Sequence, residues 1–265
     1  MRPRRRDSEL LTAERVAVER PKVSVCMAAY QGERYIALQL RSILEQLSDS
    51  DEIIVVDDNS SDRTREEVIS LDDARVQLLE HRANQGVAKS FQEALGHATG
   101  DIIFLSDQDD IWLHSKVARF LEIFRKNADV NVVISNAALI DENGNPLGRS
   151  YYELRGRFRS GLISNLIRCK FLGCLMAFRS ALLPKVLPFP TGCGDVLHDF
   201  WIGTVNTMSS GKTMFIDEEL VCYRRHASSV TAGKLSTARQ MQTRWCLFKA
   251  VIRFLFDGSA PQRLI

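Results

Sequence analysis

From residue 23 to about 141, short apolar runs alternate with pieces of helical spacing, and that alternation leaves few architectures open. Residues 23–30, 53–56, 76–79, 102–105 and 132–135 are brief and almost continuously apolar, as buried strands are. Between them, Ile36, Leu40, Ile43, Leu44 and Leu47 recur at helical spacing. So do Val87, Phe91, Ala94, Leu95 and Ala98, and then Val117, Phe120, Leu121 and Phe124. Thr64 and Glu67 fit a capping box for a further short helix. Strands that are apolar on both sides, separated by amphipathic helices, predict an α/β fold: a mostly parallel central sheet with helices on both faces.

The second half is less regular. Leu162, Ile163, Leu166 and Ile167 suit a helix, "FLGCLMAF" a strand, and "TMFIDEELVCYRRH" two short strands. "GCGDVLHDFW" reads as a loop entering a helix through Trp201, Val205 and Met208.

Parallel sheets bind ligands beyond the carboxyl ends of their strands. The polar clusters of this chain fall there: Tyr30-Gln31-Gly32 after the first strand, Asp57-Asp58 after the second, and Asp107 to Asp110 after the fourth. If the last stretch is extended, Asp107 and Asp109 project to one side, roughly 7 Å apart, with Gln108 facing away. Two convergent carboxylates suit a hard divalent cation, which takes oxygen ligands and shares them with substrate phosphates. An acidic surface turn is the plainer reading, and "DDNSSD" at 57–62 is equally a good turn and helix-cap sequence. Neither G-x-x-x-x-G-K-[ST] nor G-x-G-x-x-G follows the first strand. A nucleotide held at this edge therefore needs a metal and basic side chains in place of a glycine cradle.

Composition removes several classes. With 35 Lys and Arg against 33 Asp and Glu, the net charge of +2 makes no case for a nucleic-acid partner. The six cysteines lack paired CxxC spacing, which argues against zinc and for reduced thiols. The basic start (Arg2, Arg4, Arg5, Arg6) is not followed by an apolar signal region, and no apolar run approaches the ~18 residues of a membrane span. These features predict a cytoplasmic protein. Residues 1–21 are expected to be a loose basic tail. Residues 232–265 are expected to form a helical segment whose apolar positions spread nearly all round. That segment suits packing on the domain or another subunit, and equally a peripheral contact with the inner membrane surface.

Seven blocks in order carry a resemblance: "VSVCMAAYQGERYI", "IIVVDDNSSDRT", "NQGVAKSFQEAL" running on to "ATGDIIFLSDQDDIW", "ISNAALIDENG", "FLGCLMAF", "HDFW" and "YRRHASSVT". Over residues 22–231 the chain resembles the family 2 inverting glycosyltransferases, with details similar to their rhamnosyltransferase-like branch. The resemblance implies a Rossmann-like, A-type fold with a nucleotide-sugar half (22–141) and an acceptor half (142–231). It implies a donor such as dTDP-L-rhamnose or a UDP-hexose, Mg²⁺ or Mn²⁺ as cofactor, and a glycan or lipid-linked acceptor in bacterial surface-polysaccharide synthesis.

Position by position, it places Ala28, Tyr30 and Asp58 at the nucleotide base, Asp107 near the ribose, and Asp109 and His226 at the metal. Asp199 in "HDFW" matches the general base, with His198 in place of the acid that more often precedes it. Gly173, Cys174 and Trp201 fall on the acceptor side, and Arg82, Lys89 and Arg224 are candidates for the diphosphate. A carbohydrate- or nucleotide-binding module without catalysis is the alternative, and an intact base argues against it.

Overall fold

The computed structural model describes residues 20–159, 161–162, 170–190, 198–226 and 245–256 except 247 and 255. The strands are β1 (Val23–Ala29), β2 (Glu52–Asp57), β3 (Val76–Glu80), β4 (Ile102–Ser106), β5 (Ile111–Trp112), β6 (Val130–Ile140), β7 (Pro146–Ser150), β8 (Met176–Arg179) and β9 (Lys212–Arg224). The helices are α1 (Ile36–Leu44), α2 (Thr64–Ile69), α3 (Val87–His97), α4 (Lys116–Lys126), α5 (Tyr151–Arg155), α6 (Leu183–Val186) and α7 (His198–Met208), with a 3-10 turn at Gly173–Leu175.

All nine strands join one sheet in the order β3-β2-β1-β4-β8-β6-β9-β5, with β7 on β6. Its first half is parallel, as the alternation predicts: β2 and β4 flank β1, and β3 pairs β2. The second half departs from it. β8 runs antiparallel to both β4 and β6, and β9 runs parallel to β6 and antiparallel to β5. Residues 212–224 form one long strand where two short ones were expected, its register against β6 shifting near Ser135–Ala138. A bulged strand reads as two pieces in a sequence because the alternation of faces breaks there.

The apolar spacing has its predicted effect. Ile36, Leu40 and Ile43 of α1, Phe91, Ala94 and Leu95 of α3, and Val117, Phe120 and Phe124 of α4 are buried against β1, β2, β4 and β6, themselves buried along most of their length. Each such side chain contributes roughly 1.5–3 kcal/mol. The Thr64–Glu67 box does not form. Thr64 Oγ1 instead accepts from the Gly32 amide at 2.7 Å, tying α2 to the loop after β1. A capping box does occur at Ser150 and Glu153 of α5.

Cys26, Cys174 and Cys222 are free, in keeping with reduced thiols, but Cys246 is disulfide-bonded and corrects that reading there. The expected tail through residue 19, the helix expected at 162–167 beyond its first position, and the loop 191–197 lie outside the described residues.

Candidate active site

Three adjacent parallel strands deliver their last residues to one edge. Ala29 pairs with Asp57, Met27 pairs with Ser106, and the Asp58 amide donates to Ala29 O at 2.8 Å. The segments after β1, β2 and β4 therefore sit together. Because β8 is antiparallel to β4, the Gly173–Leu175 turn before it arrives at the same edge. The 107–110 loop joins β4 to β5, and β5 pairs Cys222 and Val221 of β9, which brings Arg224 and His226 to the loop.

The loop is not extended, and its carboxylates diverge from the alternating arrangement. Gln108 does not face away. Its side chain accepts from the Tyr30 amide and donates to the Tyr30 carbonyl, both at 2.9 Å, stitching the loop to β1. Ligand atoms of Asp107, Asp110 and Cys174 lie within 4.8 Å of one another, so the convergent pair deep in the site is i and i+3. Asp109 turns to the other wall, where its Oδ2 lies 2.6 Å from His226 Nε2. Asp110 Oδ1 accepts from the Arg224 amide at 3.0 Å, while Oδ2 is buried without a hydrogen-bond partner.

Burial, Asp109 and Asp199 together push Asp107 up to about 7, and burial with the neighbouring acids raises Asp110 well above the carboxylate range. Crowded, desolvated carboxylates with an orphaned buried oxygen lack positive charge. The residues fit a divalent cation that takes oxygen ligands. The carboxylates that the loop brings together are those of Asp107 and Asp110, while Asp109 stands against His226. Burial and the neighbouring Asp110 and Asp107 raise the Cys174 thiol, and a hard cation prefers the oxygens beside it.

Asp199 begins α7, partly exposed, with the Phe200 amide donating to its Oδ1 at 2.7 Å and the Gly173 amide also bonded to it. Burial pushes its carboxyl up to about 7. His198 packs flat on Phe91, ring centroids 4.0 Å apart, with both nitrogens buried and unpartnered, and burial lowers it to about 3. It is thus a neutral wall of the site. Gly173 is required by that wall. A Cβ there would lie 2.8 Å from His198 Nε2 and 3.7 Å from Leu105. Gly173→Ala is expected to cost about 1–3 kcal/mol in urea unfolding and to lower turnover as well, by shifting the amide that orients Asp199.

Other expected site residues land elsewhere. Trp201 is fully buried, its Nε1 donating to Val186 O at 2.9 Å, so it is core and not an acceptor contact. Arg224 is 3% exposed; its guanidinium donates to the carbonyls of Asp109, Asp141 and Glu142 and lies 4.6 Å from the Tyr35 ring centroid. Through Nε and Nη1 it fixes the backbone of the acidic loop and of the turn after β6.

Asp58 is engaged by the loop that follows β3: it accepts from the Gln85 and Gly86 amides at 2.7 and 2.8 Å and pairs with His81 Nδ1 at 2.7 Å. Burial alone would lower His81, but bonds to Asp58 and Glu93 raise it. Asp58 therefore shapes the 81–86 loop. Tyr30 is 48% exposed at the rim and Ala28 half-buried beneath it, both open to a base. Arg82 in that loop and Lys89 in α3 are both exposed, with Lys89 Nζ 3.4 Å from Gln85 Oε1.

Sequence reasoning missed Lys116. It is fully buried, its ammonium donates to Cys174 O at 2.7 Å, and it sits 3.9 Å from the Trp112 ring centroid. Burial lowers it to about 7, against the pull of Asp110 and Asp107. The signal was present, since Lys116 lies one residue before the apolar stripe of α4, on the same face as Phe120. Lys116→Ala empties a space among three aromatic rings and orphans the Cys174 carbonyl, which is expected to cost about 2–5 kcal/mol in urea unfolding. Lys116→Met keeps the volume and is expected to cost less.

The pattern described as Glycosyl transferase family 2 matches residues 24–183. A relative from Escherichia coli, named UDP-Glc:alpha-D-GlcNAc-diphosphoundecaprenol beta-1,3-glucosyltransferase WfgD, is 27% identical over 84% of this chain and 83% of its own. A teichuronic acid biosynthesis glycosyltransferase of Bacillus subtilis, TuaG, described as putative, is 25% identical over 89% of this chain and 91% of its own. Among solved structures, S. aureus TarS 1-349 with UDP-GlcNAc superposes with a TM-score of 0.65 at 17% identity, covering 87% of this chain and 66% of that one. A Pyrobaculum calidifontis mannosyltransferase, PcManGT, with GDP-Man and Mn2+ gives 0.63 at 24% identity, covering 92% of this chain and 67% of that one. These structures share its fold.

Proposed function

The chain belongs to glycosyl transferase family 2, and from that premise we propose that it moves a sugar, with inversion, from a nucleoside-diphosphate donor to a glycan or lipid-linked acceptor in bacterial surface-polysaccharide synthesis. The observation that carries this reading is the meeting of two kinds of carboxylate at one sheet edge. Asp107 and Asp109 crowd the loop after β4, and Asp199 joins them through the amide of Gly173.

A divalent cation, when bound, supplies positive charge to the departing diphosphate. The chain's own residues do the rest. Asp107 and Asp109 would hold that cation, and Arg224 and Gln108 lock the loop that carries them. Tyr30 and Ala28 leave space for the base. Asp199 accepts the proton of the attacking acceptor hydroxyl. An ordinary carboxylate is a weak base, and one raised to about 7 is better matched to neutral pH. One base, with no second carboxylate nucleophile on that side among the described residues, makes the reaction a single displacement, parallel to inverting hydrolysis.

dTDP-L-rhamnose is the donor favoured by the "SDQDDIW", "FLGCLMAF", "HDFW" and "YRRH" blocks. A UDP-hexose is the second reading, supported by the donor named for WfgD. WfgD's name also supports a diphosphoundecaprenol-linked acceptor. A thermal-shift screen of nucleotide sugars with and without Mn²⁺ tests the proposal. One donor should raise the melting temperature only when the ion is present; stabilisation that ignores the ion refutes the metal assignment.

A further inference from the structure

The helical segment at 245–256 has two apolar faces with different fates. Ala250, Val251 and Phe254 are buried, and Phe254 meets Trp201 of α7 edge-on, with 6.2 Å between ring centroids. At 100° per residue, Trp245, Phe248, Ile252 and Phe256 fall on the opposite side, and they are 59%, 45%, 37% and 85% exposed. Lys249 and Arg253 are exposed along one flank of this row, with Lys249 Nζ 5.4 Å from the Trp245 ring centroid. From Leu220 to Phe256 the sequence holds seven Lys and Arg and neither Asp nor Glu. Soluble surfaces rarely show a continuous aromatic row. No helix among the described residues is long and apolar enough to cross a membrane.

We propose that this outward face docks the protein on an anionic lipid bilayer. Aromatic side chains favour the boundary between headgroups and acyl chains, and flanking basic residues favour lipid phosphates. The charge decides the occupant. Lys249 and Arg253, exposed beside an apolar row, complement an anionic bilayer, whereas a second copy of the same face would set them against their own like charges. The docked segment lies directly behind α7, the helix that begins with Asp199, so the acceptor half is the part held at the surface. The inference rests on the lipid-linked acceptor reading for its purpose, but its measurement needs no sugar.

Trp245 provides the probe, because the other two tryptophans, Trp112 and Trp201, are buried. The full chain is mixed with vesicles of phosphatidylcholine alone, or with one quarter phosphatidylglycerol, and followed by sedimentation and tryptophan emission. Binding to the anionic vesicles with a blue shift, weakened by salt, is expected. The double variants Phe248→Ser/Ile252→Ser and Lys249→Glu/Arg253→Glu should each reduce partitioning about tenfold or more and keep the wild-type melting temperature. Equal binding to both vesicle types, no binding, or variants that bind like wild type would overturn the proposal. So would a concentration-dependent dimer that is lost in Phe248→Ser/Ile252→Ser while vesicles are ignored. Vesicle binding without any sugar transfer would instead overturn only the transferase reading.

Discussion

Asp199→Asn is expected to lower the transfer rate by ~10²–10⁴-fold and to leave donor affinity within about twofold. Asn keeps the size of the side chain and an oxygen to accept from the Phe200 amide, so the start of α7 is undisturbed. What it removes is the proton acceptor. The wild-type rate should rise with pH through about 7 as Asp199 ionises, and the residual rate of the variant should lack that limb. A module that only binds would show neither effect.

Stability should move the opposite way. The folded carboxyl holds its proton more tightly than the unfolded one, so the folded state binds more protons between about pH 4 and 7. Stability therefore falls as pH rises through that window, and the penalty is complete above it. Asn carries no such penalty. At pH 8 the variant should melt higher than wild type, by about 2–4 °C per kcal/mol recovered, and the difference should close toward pH 4.

Asp109→Ala is the second large effect. It takes away a carboxylate that Asp107 and Asp110, which converge on the other wall, do not replace. Divalent ion should no longer strengthen donor binding, and kcat/KM should fall by at least ~10²-fold, since a metal supplies several kcal/mol of charge stabilisation. The loop itself should survive, because Arg224 bonds the backbone carbonyl of Asp109 and not its side chain. His226→Ala removes a group bound to that carboxylate and should have a smaller effect, about 10–100-fold. Isothermal titration of donor, with Mn²⁺ and with EDTA, checks both variants.

Which parts of this were legible in the sequence follows from the range of the forces involved. The parallel half was legible because helical and strand periodicities report burial locally, and the three strands that share an edge each end in a polar cluster. The antiparallel half was not. β8 is only four residues long, and the pairing of β9 with both β6 and β5 is a long-range event that leaves no local mark. The same limit applied within the site. Asp107, Asp109 and Asp199 were singled out by residue type and order. The turn that joins Asp107 to Asp110, the Gln108 clasp on Tyr30 and the burial of Lys116 depend on neighbours tens of residues away. Arg224 was a diphosphate candidate for the face it would share with His226, yet the carbonyls of Asp109, Asp141 and Glu142 bind its Nε and Nη1; Trp201 went to the core, a place its residue type already favoured.

The anomeric configuration of the first-formed product, read by proton NMR against that of the donor, tests the mechanism most directly. Asp199 acting as lone base beside a cation-held diphosphate predicts the opposite configuration at the transferred carbon. A product that retains the donor's configuration would require a second displacement and would contradict the account.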